Sequence, residues 1–214
     1  MKRIRNILAF TCCALLLLSL AAAQAEAVTP ATARFSAGDM NVSYVYAGAG
    51  MEEAEAVFGA AESAESITSA ATGETQDIWH YDGLTLTFSG NDTLIAVKAE
   101  NAAYPGPRGV AVGQTLEEIA SKFYYDMNTA SNTVLYTAGH VDLLDAELPP
   151  CGYILLNDDG TYTLNYAAPA KPFSKDMLND PSDFVYEELA LLTVTFDADG
   201  TAVEYSWALG PWAE

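Results

Sequence analysis

Gly109-Val110-Ala111-Val112-Gly113-Gln114-Thr115-Leu116-Glu117-Glu118-Ile119-Ala120-Ser121-Lys122-Phe123 is the stretch on which the reading of this chain turns. Val110 and Val112 alternate as in a short strand, Gly113 breaks the pattern, and Leu116, Ile119, Ala120 and Phe123 then recur at i, i+3, i+4, i+7, the spacing of one buried helix face. Thr115 is placed to cap that helix. Glu118, three residues on, is placed to bond back to the cap's N–H, which completes a capping box and sets acid at the positive end of the helix dipole. A diverged version stands earlier, at Gly50-Met51-Glu52-Glu53-Ala54-Glu55-Ala56-Val57-Phe58-Gly59, with Met51, Ala54 and Phe58 on its apolar face. The pattern predicts a duplicated helix start.

Outward from the two helices the chain reads as strands and tight turns. Residues 40–46 alternate imperfectly and predict a strand leading into the first helix. Residues 67–71 and 75–81 flank Thr72-Gly73, and Leu84-Thr85-Leu86-Thr87-Phe88 and Leu94-Ile95-Ala96-Val97 flank Ser89-Gly90-Asn91-Asp92, two hairpin signals. After the second helix, Tyr153-Ile154-Leu155-Leu156 and residues 161–166 flank Asn157-Asp158-Asp159-Gly160. Residues 167–183, with Pro169, Pro172 and Pro181, predict a loop. The chain closes with Leu192-Thr193-Val194-Thr195-Phe196, the turn Asp197-Ala198-Asp199-Gly200, and residues 202–207.

Leu84-Thr85-Leu86-Thr87-Phe88 corresponds to Leu192-Thr193-Val194-Thr195-Phe196, so helix and hairpin both occur twice and in the same order. The expected fold class is therefore α+β: two tandem units, each a helix packed on an antiparallel β-meander, the second carrying an inserted hairpin at residues 153–166. Tyr104-Pro105-Gly106-Pro107-Arg108 punctuates the chain between them. The organisation expected is a signal peptide at 1–25, a flexible leader at 26–38, a first repeat at 39–104 and a second at 109–214.

The pattern of Gly-x-Thr-x-Glu-Glu-Ile helix followed by strands ending Thr-x-Thr-Phe-turn resembles the units of the BamE/SmpA and β-lactamase-inhibitor-protein (BLIP)-like type. It rests on Gly113 through Ile119, on Gly50 through Gly59 and on the hairpins of Phe88 and Phe196. What the resemblance implies is an exported, non-catalytic, protein-contacting module, with inhibition of an extracellular hydrolase as a special case.

Lys2, Arg3 and Arg5, the apolar run over residues 7–20 and the small residues ending Ala23-Gln24-Ala25 read as a secretory signal, cut after Ala25 or Ala27. Cys12 and Cys13 lie inside the apolar run rather than at its end, where a lipidated cysteine stands. No later stretch approaches the roughly 20 apolar residues of a membrane helix, so a secreted or extracytoplasmic protein with no membrane anchor is expected. Of the 3 cysteines only Cys151 follows the signal, which leaves no intramolecular disulfide.

Cleavage after Ala25 removes those three basic residues and none of the 29 acids, taking the formal charge from −20 to −23. Such a field repels phosphate backbones and anionic lipid, which argues against nucleic acid and direct membrane insertion; it favours a protein partner with a basic surface.

Catalytic and metal chemistry find little footing. Cys151, His140 and Asp142 are the residue types of a nucleophilic triad, but Pro149-Pro150-Cys151-Gly152 reads as a loop entering a strand, with no helix N-terminus to stabilise a thiolate. No Gly-x-Ser-x-Gly elbow occurs. His80 and His140 have no ligand spacing around them, and the Asp-rich turns at 157–160 and 197–200 lack the distant bidentate Glu of a calcium loop. The chain is thus read as no enzyme, with no catalytic residue, metal ligand or cofactor. Aromatics remain. Trp79 and Tyr81, and Tyr205 and Trp207, share sheet faces on matching strands, so each pair either fills the core or forms a binding face for protein or, alternatively, for carbohydrate or cell wall.

Overall fold

Leu84, Leu86 and Phe88 are buried while Thr85, Thr87 and Ser89 between them are only half-buried, and Ala190, Leu192, Val194 and Phe196 repeat that alternation. A period of two with one buried face makes a half-covered sheet, and the chain builds a large one. The computed structural model describes residues 33–68, 73–124, 134–136, 151–169 and 189–210. A short hairpin comes first, β1 (Asn41–Val42) with β2 (Val45–Tyr46), then helix α1 (Met51–Phe58). The strands β3 (Ser63–Thr68), β4 (Thr75–Tyr81), β5 (Leu84–Ser89) and β6 (Leu94–Ala99) follow. Helix α2 (Leu116–Ala120) precedes β7 (Val134–Tyr136), β8 (Cys151–Leu156), β9 (Tyr162–Pro169), β10 (Leu189–Phe196) and β11 (Ala202–Leu209).

All nine strands from β3 onward belong to one antiparallel sheet in the order β3-β4-β5-β6-β11-β10-β9-β8-β7. The seam is β6 against β11, with Ala99 opposite Tyr205, Lys98 opposite Ser206 and Val97 opposite Trp207. This overturns the expected α+β fold of two tandem units, each a helix on its own meander. The protein is mostly antiparallel β. Local pattern marks where strands run but not which edges pair, and here the inner edges hydrogen-bond across the presumed boundary. The helices are too small to form layers: α1 buries Ala54 alone among its residues, and α2 buries Ile119.

Both helix starts stand where the sequence puts them. Thr115 Oγ1 accepts from Glu118 N–H at 3.3 Å, and Glu118 Oε2 accepts from Thr115 N–H at 2.8 Å, so the capping box is formed. The bond from the Thr115 N–H, and after it the one that the Thr115 hydroxyl donates to the same Oε2, lower the Glu118 carboxyl pKa. The helix stops at Ala120, and Phe123, expected on its last turn, reaches the core from the turn beyond. Residues 40–46, read as one strand, instead fold back on themselves at Ser43-Tyr44. The segment read as a signal peptide, residues 69–72 between β3 and β4, and residues 170–183 of the predicted loop lie outside the described residues, while residues 167–169, also read as loop, end β9.

One core joins these parts. Phe35, Met40, Val42, Val45, Val110, Ile119 and Phe123 pack with the inward side chains of β5, β6, β9, β10 and β11. Arg108, at φ +53°, fastens the covering layer: its five N–H groups reach Asp39, Lys122 O, Ala33 O and Arg34 O, and its guanidinium lies 5.0 Å from the Phe123 ring centroid. Among the described residues no helix is long and apolar enough to cross a membrane.

Candidate functional site

The four aromatics singled out in the sequence stand on one face of the sheet, in adjacent rows. Registry runs Trp79–Leu86–Val97–Trp207 across β4, β5, β6 and β11, and Tyr81–Leu84–Ala99–Tyr205 beside it. This is the covered face. Trp207 is 0% exposed and Tyr205 1%. Trp207 Nε1 donates to Asn41 O at 2.9 Å, and Tyr205 OH donates to Tyr104 O at 2.9 Å. Burial pushes the Tyr205 hydroxyl far above its ordinary pKa. Gly106 is what admits that ring, since a Cβ there would sit 2.5 Å from Tyr205 Cε2. Tyr205 and Trp207 therefore have no surface to offer a ligand.

Trp79 and Tyr81 are half-buried on the same face. Trp79 packs at 4.9 Å on Phe88, while Tyr81 meets Phe58 of α1 at 5.8 Å and donates its hydroxyl to Gly59 O at 3.2 Å. Burial first, then the Glu55 charge, raises the Tyr81 pKa. These two rings close the end of the core rather than project from it.

The opposite face carries His80, Thr85, Lys98, Ser206, Thr193 and Asn165 in one row. A shallow hollow of about 240 Å³ opens on it, floored by Ile78, Thr87, Ile95 and Ala208. Lys98, the one Lys or Arg in the described strands, bonds Glu204 at 3.0 Å and Glu100 at 3.1 Å. Those bonds, Glu204's first, raise its pKa. Its charge is thus cancelled locally by the two carboxylates.

Two features escaped the sequence reading. Between Arg34 and Lys98 there is no Lys or Arg but ten Asp or Glu, and this interval builds β1 to β5 and most of β6. The gap was readable; its consequence was not, because only the sheet order reveals that β3, exposed at every residue but Ile67, forms the outer edge among the described strands. The second is the β1–β2 turn. Ser43 and Tyr44 both take positive φ, +48° and +70°, and Tyr44 is 83% exposed. Tyr44 and Tyr46, the latter 50% exposed, border a hollow of about 450 Å³ with Asn41, Ser43 and Pro105.

For the chemistry weighed in the sequence, Cys151 opens β8, whereas His140 and Asp142 lie outside the described residues. His80 is flanked by Glu65 Oε1 at 3.3 Å and Thr85 Oγ1 at 3.4 Å, with no His, Cys, Asp or Glu cluster suited to a metal among the described residues. Asp159 accepts from the Thr161 hydroxyl and N–H, and Asp197 from the N–H groups of Asp199 and Thr201, so both carboxylates close their own turns. No family model, curated protein or solved structure matches the chain.

Proposed function

We propose that the chain is an exported, acidic, non-catalytic module that binds a protein through a basic surface. The observation that carries this reading is the charge: 29 acids stand against 9 basic residues, and residues 35–97, which build β1 to β5 and most of β6, hold ten acids and no Lys or Arg, four of those acids falling between the start of β3 and the end of β5. An excess of charge of one sign raises the encounter rate with an opposite surface and disfavours like-charged partners. An extracellular hydrolase inhibited by the module is a special case, supported by the resemblance of its short motifs.

The test is capture on the immobilised mature chain from the envelope and secreted fractions of the producing cell, at low and at high salt. A basic protein retained at low salt and released at high salt is the expected result, because exposed charges are screened beyond about 8–10 Å at physiological ionic strength. Retention of acidic proteins, or capture indifferent to salt, overturns the reading.

A second reading, carbohydrate or cell-wall binding, draws on Tyr44 and Tyr46 beside their hollow, since exposed rings over a concave, partly polar surface suit the apolar faces of sugars. A glycan array probed with the native chain and with Tyr44→Ala decides it: signals unchanged by the substitution dismiss that site.

A further inference from the structure

β3 is the long free edge of the sheet. It pairs with β4 without interruption from Ser63 opposite His80 to Thr68 opposite Thr75, and no strand among the described residues pairs with its other side. Every residue in it is exposed except Ile67, which is half-exposed. Every second residue of such a strand turns its N–H and C=O outward, a row of unmatched donors and acceptors that templates another strand. Edges are ordinarily blunted by proline, lysine, a bulge or shortness. The opposite edge, β7, has a shifted register against β8, and bulges interrupt β5–β6 and β10–β11. β3 has none of these devices.

What it has instead is negative charge. Glu62 precedes it, Glu65 lies mid-strand, Glu74 and Asp77 come from the neighbouring strand and its approach, and no Lys or Arg stands among residues 35–97. Among the described residues, His80 stands beside Glu65 with Nε2 3.3 Å from Oε1. A second copy of this chain would bring the same acids against themselves, and like charges opposed across strands repel. A strand bearing Lys or Arg meets the opposite.

We propose that β3 is an acceptor strand to which a basic, extended segment of the partner protein adds as a tenth strand. Main-chain hydrogen bonds to Ser63–Thr68 supply affinity, and basic side chains alternating toward Glu65 and its neighbours supply selection. This rests on the basic-partner reading and names the surface and the mode of binding.

The probe is a labelled eight-residue peptide alternating Lys with Val or Thr, compared with a twin of equal charge in which the Val and Thr are replaced by proline. Fluorescence anisotropy reads binding and amide hydrogen exchange locates it. Expected are at least tenfold weaker binding of the proline twin, slowed exchange confined to β3, and at least tenfold weaker binding of the first peptide to Glu65→Lys, whose melting curve checks the fold. A Glu117→Lys control on α2 makes the same charge change away from the edge and binds as the native chain does.

Equal binding of the two peptides overturns strand addition while the basic-partner reading stands. Binding by neither overturns both. Exchange protection of β3 that rises with protein concentration in the absence of peptide overturns the proposal in favour of self-pairing.

Discussion

Arg108 grips Asp39 through two parallel bonds, Nε to Oδ1 at 2.9 Å and Nη2 to Oδ2 at 2.8 Å, each side chain 18% exposed. The fork also takes three carbonyls, which ties the start of the described chain and the end of α2 to the turn before β1. Arg108→Ala is expected to lower stability by about 2–4 kcal/mol, as it strands Asp39 and those carbonyls together. Arg108→Lys restores charge but not the planar fork, and recovers less than half. Urea midpoints of the three proteins check this; equal midpoints for Lys and Arg would dismiss the fork.

Trp207→Ala is expected to cost about 3–5 kcal/mol, as it empties the largest fully buried side chain and orphans Asn41 O. Trp207→Phe keeps most of the volume and costs about 1–3 kcal/mol. Capture of a partner by the fraction that remains folded is unchanged in both, because the ring has no exposed surface. Thermal unfolding and capture measured on the same samples separate the two effects.

The Tyr205 hydroxyl titrates far above its ordinary value because burial disfavours the phenolate. A group whose folded pKa is raised contributes stability that is complete below its unfolded pKa and lost as pH rises towards the folded one. Lys98 is raised as well and adds in the same direction. Stability is therefore expected to fall above about pH 10, and Tyr205→Phe to flatten that fall despite losing one hydrogen bond. Glu118 and Asp159 are lowered, so their contributions are present above the unfolded values and vanish as pH falls through the folded ones. Urea midpoints across pH resolve both limbs; an unchanged alkaline limb in Tyr205→Phe would contradict the assignment.

Ser43 and Tyr44 hold the positive-φ pair of a type I′ hairpin turn with residues poorly suited to it. Replacing them by Asn and Gly is expected to raise stability by about 1–2 kcal/mol, since Tyr in that region carries backbone strain that glycine does not. Differential scanning calorimetry measures the gain. If the same double substitution also abolishes a glycan signal, the strain belongs to a binding turn.

The local pieces follow from neighbouring residues alone. Thr115 and Glu118 form their capping box because all its partners lie within four residues, and the Asn157–Gly160 and Asp197–Gly200 turns close through carboxylates two or four residues from the N–H groups they take. The acidic balance was likewise legible. The tertiary contacts settle the rest: that β6 pairs with β11 to make one sheet from two meanders, that Trp207 faces inward under the β1–β2 hairpin and Tyr205 under Tyr104 and Gly106, and that β3 is left at the rim. Period-two alternation says that a strand has two faces but not which is covered, and a backbone carries the same donors and acceptors along both edges. Which edge finds a partner depends on contacts more than a hundred residues apart, such as Tyr205 with Tyr104.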